Sequence, residues 1–174
     1  MNTRANPIEK EKEAFLQLIA ENKGIIIKIC NSYCNNATDR EDLAQEIIYA
    51  LWKGSKTFVP DFKFSTWMYR VSLNVAISFY RSAKKLKNNI SFTAAGIEIA
   101  DKTGGDGTAE ENIHLLQQQI EALKELDKAL MILYFEEKTY KEIAEIMGIT
   151  ETNVATKVSR IKEKLKQNII HSKK

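Results

Sequence analysis

Three Thr-x-x-Glu pairs punctuate this chain, Thr38 with Glu41, Thr108 with Glu111 and Thr139 with Glu142, and each stands just ahead of apolar residues at helical spacing. In such a pair the Thr oxygen accepts a backbone N–H of the first turn while the Glu reaches back to the N–H of the cap residue, which specifies a helix start. Pro occurs only 2 times in 174 residues and Gly only 7 times, so few positions force a helix to stop. Val, Ile and Thr are scattered among Leu, Ala, Glu and Lys rather than gathered into alternating runs. An all-α fold is expected.

Apolar spacing predicts a first helix over Pro7–Asn22, with Pro in its opening turn and Phe15, Leu18 and Ile19 in the core. Gly24 should separate it from a second helix that runs to about Asn35 on Ile25, Ile26, Ile29 and Cys30. After a turn at Asn35, Asn36 and Ala37, the Thr38 box opens a third helix over Asp39–Lys53. Its apolar face is Leu43, Ala44, Ile47, Ile48, Leu51 and Trp52; its other face carries Asp39, Asp42, Glu46 and Tyr49, with Gln45 beside them. That strip of acceptors fits a partner or a merely solvated face, and the pattern alone does not choose.

Gly54, Pro60 and Asp61 then interrupt the helix, yet the resulting loop holds Phe58, Phe62 and Phe64, and Trp67 follows. Aromatics among Lys56, Lys63 and Arg70 are what stacking of unpaired bases beside a phosphate backbone requires. The same rings could instead plug the end of a helical core. A fourth helix, Ser65 to about Lys85, is apolar around most of its circumference except for a stripe of Trp67, Arg70, Asn74 and Arg81 at i, i+3, i+7 and i+14. Arg81, Lys84, Lys85 and Lys87 follow without an intervening acid, a local field suited to phosphates, although a basic helix end also complements its own dipole.

Periodicity stops between Leu86 and Thr108, where Gly104, Gly105, Asp106 and Gly107 gather. A connection of that length is uncommon inside one compact domain, so the chain divides into a bundle at 1–87, a linker at 88–108 and a second domain at 109–174. In the second domain a helix should run from the Thr108 box to about Glu125, and Asp127 should cap the next, with apolar positions Leu130, Met131, Leu133, Tyr134 and Phe135. The Thr139 box caps a short helix with Tyr140, Ile143, Ala144 and Met147 inward; Gly148 ends it, and Thr150 opens a long final helix. This last pair reads as a helix-turn-helix. Val154, Val158, Ile161 and Leu165 form the inner stripe of the final helix, leaving Thr152, Asn153, Thr156, Ser159 and Arg160 outward with Lys157 and Lys164 flanking. Hydroxyls, an amide and an Arg near the start of an exposed helix are groups that read base edges in a major groove, and the lysines can hold phosphate.

Net charge is only +3 with a pI near 8.7, so any contact with nucleic acid must come from these local patches rather than from a general field. Cys30 and Cys34, the only cysteines, sit four apart in an apolar run and read as small buried hydrophobes of a reducing cytoplasm. The two histidines, His114 and His171, lack ligand spacing, and no cofactor or metal is implied. The N-terminus MNTRANPIEKEKEAF has acids and no apolar signal core, and the apolar run Ile25 to Ile29 is too short to cross a bilayer, so a cytoplasmic protein without membrane insertion is expected.

The stretch Asp39 to Lys85 closely resembles the second conserved region of bacterial RNA polymerase sigma factors, in the extracytoplasmic-function branch. The spacing D-x-x-D-L-x-Q-E is present as Asp39, Asp42, Leu43, Gln45 and Glu46, Trp52 stands at the helix end, and F-S-T-W-M-Y-R-V-S-L-N spans Phe64 to Asn74. Leu123 to Thr150 is similar to the fourth region of the same family, with one departure: where T-V-K-S-R is common, this chain has Asn153, Val154, Ala155, Thr156 and Lys157. The resemblance implies that Asp39, Asp42, Leu43, Gln45, Glu46, Tyr49 and Trp52 bind core RNA polymerase. It implies that Lys56, Phe58, Phe62, Lys63, Phe64, Ser65, Thr66, Trp67, Arg70, Asn74, Arg81, Lys84 and Lys85 capture the melted minus-ten element of promoter DNA. It further implies that Thr152, Asn153, Thr156, Lys157, Ser159, Arg160 and Lys164 read the minus-thirty-five element. Family members are commonly restrained by an anti-sigma factor, which makes one a candidate partner.

Two other classes compete with a promoter-specificity subunit. A conventional helix-turn-helix regulator would bind duplex operator DNA without polymerase. An enzyme would need a paired carboxylate, an activated nucleophile or a Gly-rich phosphate loop, and none can be placed; no small-molecule substrate is implied.

Overall fold

The computed structural model describes residues 7–58, 63–90, 119–120 and 122–172. Among them the chain is all-α, with one short 3-10 turn and no strand. Residues 91–108 of the expected linker, the Thr108 box and Phe62 lie outside the described residues. Two compact units, Met1–Ala76 and Ile77–Lys174, emerge from the packing, with the division inside a continuous helix.

The first unit begins with α1 (Pro7–Glu21), which has Pro at its first position as expected. Phe15 and Ile19 are buried, whereas Leu18 is partly exposed. The break before α2 (Lys23–Tyr33) falls at Asn22 and not at Gly24, which lies inside α2. Asn22 ends α1 by itself: its backbone N–H donates to the Leu18 and Ile19 carbonyls at 3.2 Å, and its Nδ2 donates to the Leu18 carbonyl at 2.9 Å. Ile25, Ile26, Ile29 and Cys30 are buried on α2 as the spacing predicted, and α2 ends two residues early, with Cys34 at its C-cap.

The third helix, α3 (Ala37–Gly54), starts ahead of the expected box. Its cap is Asn36 in extended backbone (φ −108, ψ 160), whose side-chain oxygen accepts the Asp39 N–H at 2.7 Å. Asn is the stronger N-cap, and its oxygen reaches the third residue of the helix, so the competing start at Thr38 loses. Leu43, Ile47 and Leu51 are buried on α3, but Ile48 and Trp52, expected in the core, are 40% and 43% exposed. The buried stripe is thus narrower than the apolar one. A 3-10 turn at Ser55–Thr57 leads off the helix, and Ser55 Oγ donates to the Trp52 carbonyl at 2.8 Å.

The long helix α4 (Phe64–Ile90) continues past the expected end near Lys85. Met68, Tyr69, Leu73, Ala76 and Ile77 are buried along it. Ser72 is buried too, and its Oγ has no hydrogen-bond partner, a desolvation cost carried inside the core.

In the second unit, α5 (Glu125–Phe135) begins before Asp127, which sits in its first turn beside Glu125 instead of capping it. There both acids complement the positive helix end. Ala129, Leu130, Met131 and Leu133 are buried, while Phe135 points outward and is 51% exposed. Lys128 is itself buried, its ammonium 5.4 Å from the Tyr80 ring centroid. The turn after α5 is closed by Glu137 N–H to the Tyr134 carbonyl at 3.1 Å and Lys138 N–H to the Leu133 carbonyl at 3.2 Å, with Glu137 in left-handed backbone at φ 55. This is a Schellman ending without its usual glycine.

Helix α6 (Tyr140–Met147) starts on the predicted capping box: Thr139 Oγ1 accepts the Glu142 N–H at 3.2 Å, and Glu142 Oε2 accepts the Thr139 N–H at 3.0 Å. Ile143 and Ala144 are buried as expected; Tyr140 turns outward and Ile146 takes an inner place that the spacing missed. Gly148, at φ 67, ends the helix with its N–H on the Ala144 carbonyl at 2.9 Å. Helix α7 (Glu151–Ser172) follows, its first turn tied by Asn153 N–H to Thr150 Oγ1 at 3.2 Å. Val154, Val158, Ile161 and Leu165 are all buried.

Candidate functional site

The α2–α3 corner positions the acidic strip. Arg40, half-buried, donates from Nε to the Cys34 carbonyl at 3.2 Å and from Nη2 to the Asn35 carbonyl at 2.9 Å, so a guanidinium fork closes the C-terminal end of α2. Asn36 Nδ2 donates to Asp39 Oδ2 at 2.7 Å. Asp39 therefore spends one carboxylate oxygen and its own N–H on capping, and is half-buried. Asp42, Gln45, Glu46 and Tyr49 are exposed along the same helix, Tyr49 at 67%. Leu43, named with them, is fully buried, so its contribution is to seat α3 on the core. Sequence spacing offered no signal for Arg40 or Asn36, because both act through carbonyls and N–H groups of the fold.

Trp52 ends this surface. Its ring meets Phe15 of α1 edge-on, with centroids 5.3 Å apart. Together with Leu18, Tyr49, Lys53, Lys56, Phe58 and Phe64 these rings line an open groove of about 700 Å³. The apolar surface that the periodicity assigned to the core thus forms a groove wall continuous with the acidic strip.

The aromatic loop is built by mutual packing. Phe58, Phe64 and Trp67 lie 5.3 to 5.6 Å from one another, and each is half-buried. Each such pair contributes about 0.5–1.5 kcal/mol beyond area burial. Gly54 makes room for them: a Cβ there would lie 3.2 Å from Trp67 Cζ2, so the indole can rest on the end of α3. The rings hold one another and still keep part of their surface to solvent. Lys56 and Lys63 at the loop, and Arg70, Asn74 and Arg81 along α4, are exposed on the predicted stripe, while Ser65 and Thr66 are half-buried in the first turn of α4. The side chains of Lys84 and Lys85 lie outside the described residues.

On α7 every predicted reading residue is exposed: Thr152, Asn153, Thr156, Lys157, Ser159, Arg160 and Lys164. The helix is braced from behind by Lys162, which donates from Nζ to Tyr134 Oη at 3.2 Å and lies 5.2 Å from that ring's centroid.

Cys30 and Cys34 are buried and play no part in these surfaces. Burial first, and the neighbouring Cys34 second, push the Cys30 thiol up to about 11; burial and then Asp39 raise Cys34 against the opposing pull of Arg40. Among the described residues no group of three His, Cys, Asp or Glu side chains could hold a metal ion, and no helix is long and apolar enough to cross a membrane.

Residues 18–86 match the family model of sigma-70 region 2, and residues 113–165 match that of sigma-70, region 4. Together the two matches take in more than two thirds of the chain, in the family's order. The chain belongs to the sigma-70 family. Its relatives place it in the extracytoplasmic-function branch: it is 27% identical to the ECF RNA polymerase sigma factor SigW of Bacillus subtilis, over 91% of this chain and 90% of that one. It is 29% identical to the RNA polymerase sigma factor SigV of the same organism, over 86% and 87%. The fold is shared with the sigma factor RpoE of Bartonella quintana, solved with the anti-sigma factor NepR, at a TM-score of 0.62 and 16% identity over 92% of this chain and 97% of that one. It is shared equally with CnrH, solved with the cytosolic domain of CnrY, at a TM-score of 0.62 and 19% identity over 90% and 87%. As a sigma factor the protein is a transcription initiation factor, not an enzyme: it binds core RNA polymerase and directs it to promoters, its region 2 capturing the melted minus-ten element and its region 4 helix-turn-helix reading the minus-thirty-five element. A stand-alone helix-turn-helix regulator is not supported, because residues 18–86 carry the region that such a regulator lacks.

Proposed function

We propose that this sigma factor docks on core polymerase through the exposed face of α3, from Asp39 to Trp52, and that the minus-ten strand is held by the Phe58, Phe64 and Trp67 cluster with Arg70, Asn74 and Arg81. The observation that carries the docking assignment is that α3 buries Leu43, Ile47 and Leu51 on one side while Asp42, Gln45, Glu46 and Tyr49 stand exposed on the other. Acceptors fixed on a rigid helix complement a cationic partner and set its register. For the strand, half-exposed rings already packed together lose little freedom when a base stacks on them, and such stacking is worth about 1–3 kcal/mol per base. Domain limits at 1–87, 88–108 and 109–174 let two weak DNA modules act together only on correctly spaced elements.

The protein works in the cytoplasm, where core polymerase is found, and an anti-sigma factor is a further partner, a reading supported by the structural neighbour RpoE, which was solved with the anti-sigma factor NepR. Pull-down of core enzyme with Asp42→Asn/Glu46→Gln tests the docking face, and run-off transcription on genomic fragments tests the whole reading. Retention of full polymerase binding by the double variant would remove α3 as the docking face.

A further inference from the structure

On the exposed face of α7 the hydroxyl of Thr156 is turned back onto its own helix. Thr156 lies opposite the buried stripe of Val154, Val158, Ile161 and Leu165, within the first two turns, which is the part of a recognition helix that meets base edges. Its Oγ1 donates its proton to the Thr152 carbonyl at 2.9 Å, a bond back to the preceding turn. That turn is itself held by Asn153 N–H on Thr150 Oγ1, so the accepting carbonyl is well placed. A hydroxyl has one proton, and with it committed only lone pairs face outward. In the major groove the donors on base edges are adenine N6 and cytosine N4; guanine and the thymine carbonyl offer acceptors.

We propose that Thr156 is a specificity-determining residue that accepts from adenine N6 or cytosine N4, and so selects against guanine and thymine at the base it faces. The proposal rests on α7 being the helix that reads the minus-thirty-five duplex. Substitution by Val keeps the shape and removes the lone pairs, whereas substitution by Ser keeps the hydroxyl and its bond to Thr152 but removes the methyl.

The test is competitive binding of reconstituted holoenzyme to promoter fragments randomised through the minus-thirty-five element, with wild type, Thr156→Val, Thr156→Ser and, as a control on α7 itself, Arg160→Ala and Lys164→Ala. The expected result is one position at which wild type and Thr156→Ser prefer adenine or cytosine and Thr156→Val weakens that preference about three- to tenfold, the worth of a single hydrogen bond. The proposal is overturned if the preference lost is for guanine or thymine. It is equally overturned if Ser loses the preference while Val keeps it, since the methyl would then be the reader. It also fails if neither Thr156 variant changes any preference while Arg160→Ala weakens binding to every sequence. Should no substitution on α7, the two controls included, alter binding to any fragment, the error lies in taking α7 as the duplex reader.

Discussion

The acidic strip with its aromatic loop, proposed to meet polymerase and the melted strand, and the exposed face of α7, proposed to meet duplex DNA, both stand on helices, but they are made in different ways. On α7 the residues proposed to read DNA point away from the packed stripe: Val154, Val158, Ile161 and Leu165 are buried, and Thr152, Asn153, Lys157 and Arg160 are exposed. In the first unit the same residues do both. Asp39 caps its own helix, Trp52 leans on Phe15, and Phe58, Phe64 and Trp67 hold one another. A face that is separate from the scaffold can change its base preference without cost to folding. A face that is part of the scaffold cannot, which would tie the proposed strand capture and docking to the stability of the first unit.

The largest effect that would expose this coupling is at Leu43. Its truncation to Ala should remove about 2–5 kcal/mol of stability and with it polymerase binding, read from urea denaturation and pull-down. Loss of binding without loss of stability would mean that Leu43 touches the partner directly. Next come Glu137 and Gly148, left-handed turn residues of the second unit. Gly148→Ala should cost about 1–2 kcal/mol because a Cβ is unfavourable at φ 67, whereas Glu137→Gly at φ 55 should stabilise by up to about 1 kcal/mol, both visible as shifts of the denaturation midpoint.

The contrast within α3 is finer. Asn36→Ala should cost about 1 kcal/mol by removing the cap, while Asp42→Asn, on an exposed carboxylate of the same helix, should leave the melting temperature within about a degree. Equal losses would place Asp42 inside the folding network and erase the distinction drawn between it and Asp39. The smallest effect is confined to alkaline solution. Burial holds the Cys30 thiol at about 11 in the folded protein, above its ordinary value, so the unfolded chain ionises first. Its contribution to stability is complete below the ordinary thiol range and is lost as pH rises toward about 11; the difference in urea midpoint between wild type and Cys30→Ala, followed from pH about 8 to 11, should shrink accordingly. A constant difference would show that the thiol is not shielded.

Much of the second unit was legible in the chain itself, since the Thr139 box, Gly148 and the stripe from Val154 to Leu165 are rules that act within a few residues. The family resemblance was legible too, because ordered motifs from Asp39 to Asn74 survive without knowledge of packing. Where reading by period failed, it failed at residues with two neighbours competing for them. Thr38 and Asn36 both can cap, and Asn36 wins because its extended backbone lets its oxygen reach the Asp39 N–H. Trp52 and Ile48 lie on the apolar side of α3, but α1 and α2 cover only part of that side, so a side chain's hydrophobicity could not say whether anything stood over it. Sequence determined which segments become helices and which faces carry charge, for those follow from local hydrogen bonding and spacing. Tertiary structure decided which apolar side chains are core and which line a groove, and whether an Asp serves its helix or a partner, since both depend on what another part of the chain brings within a few ångströms.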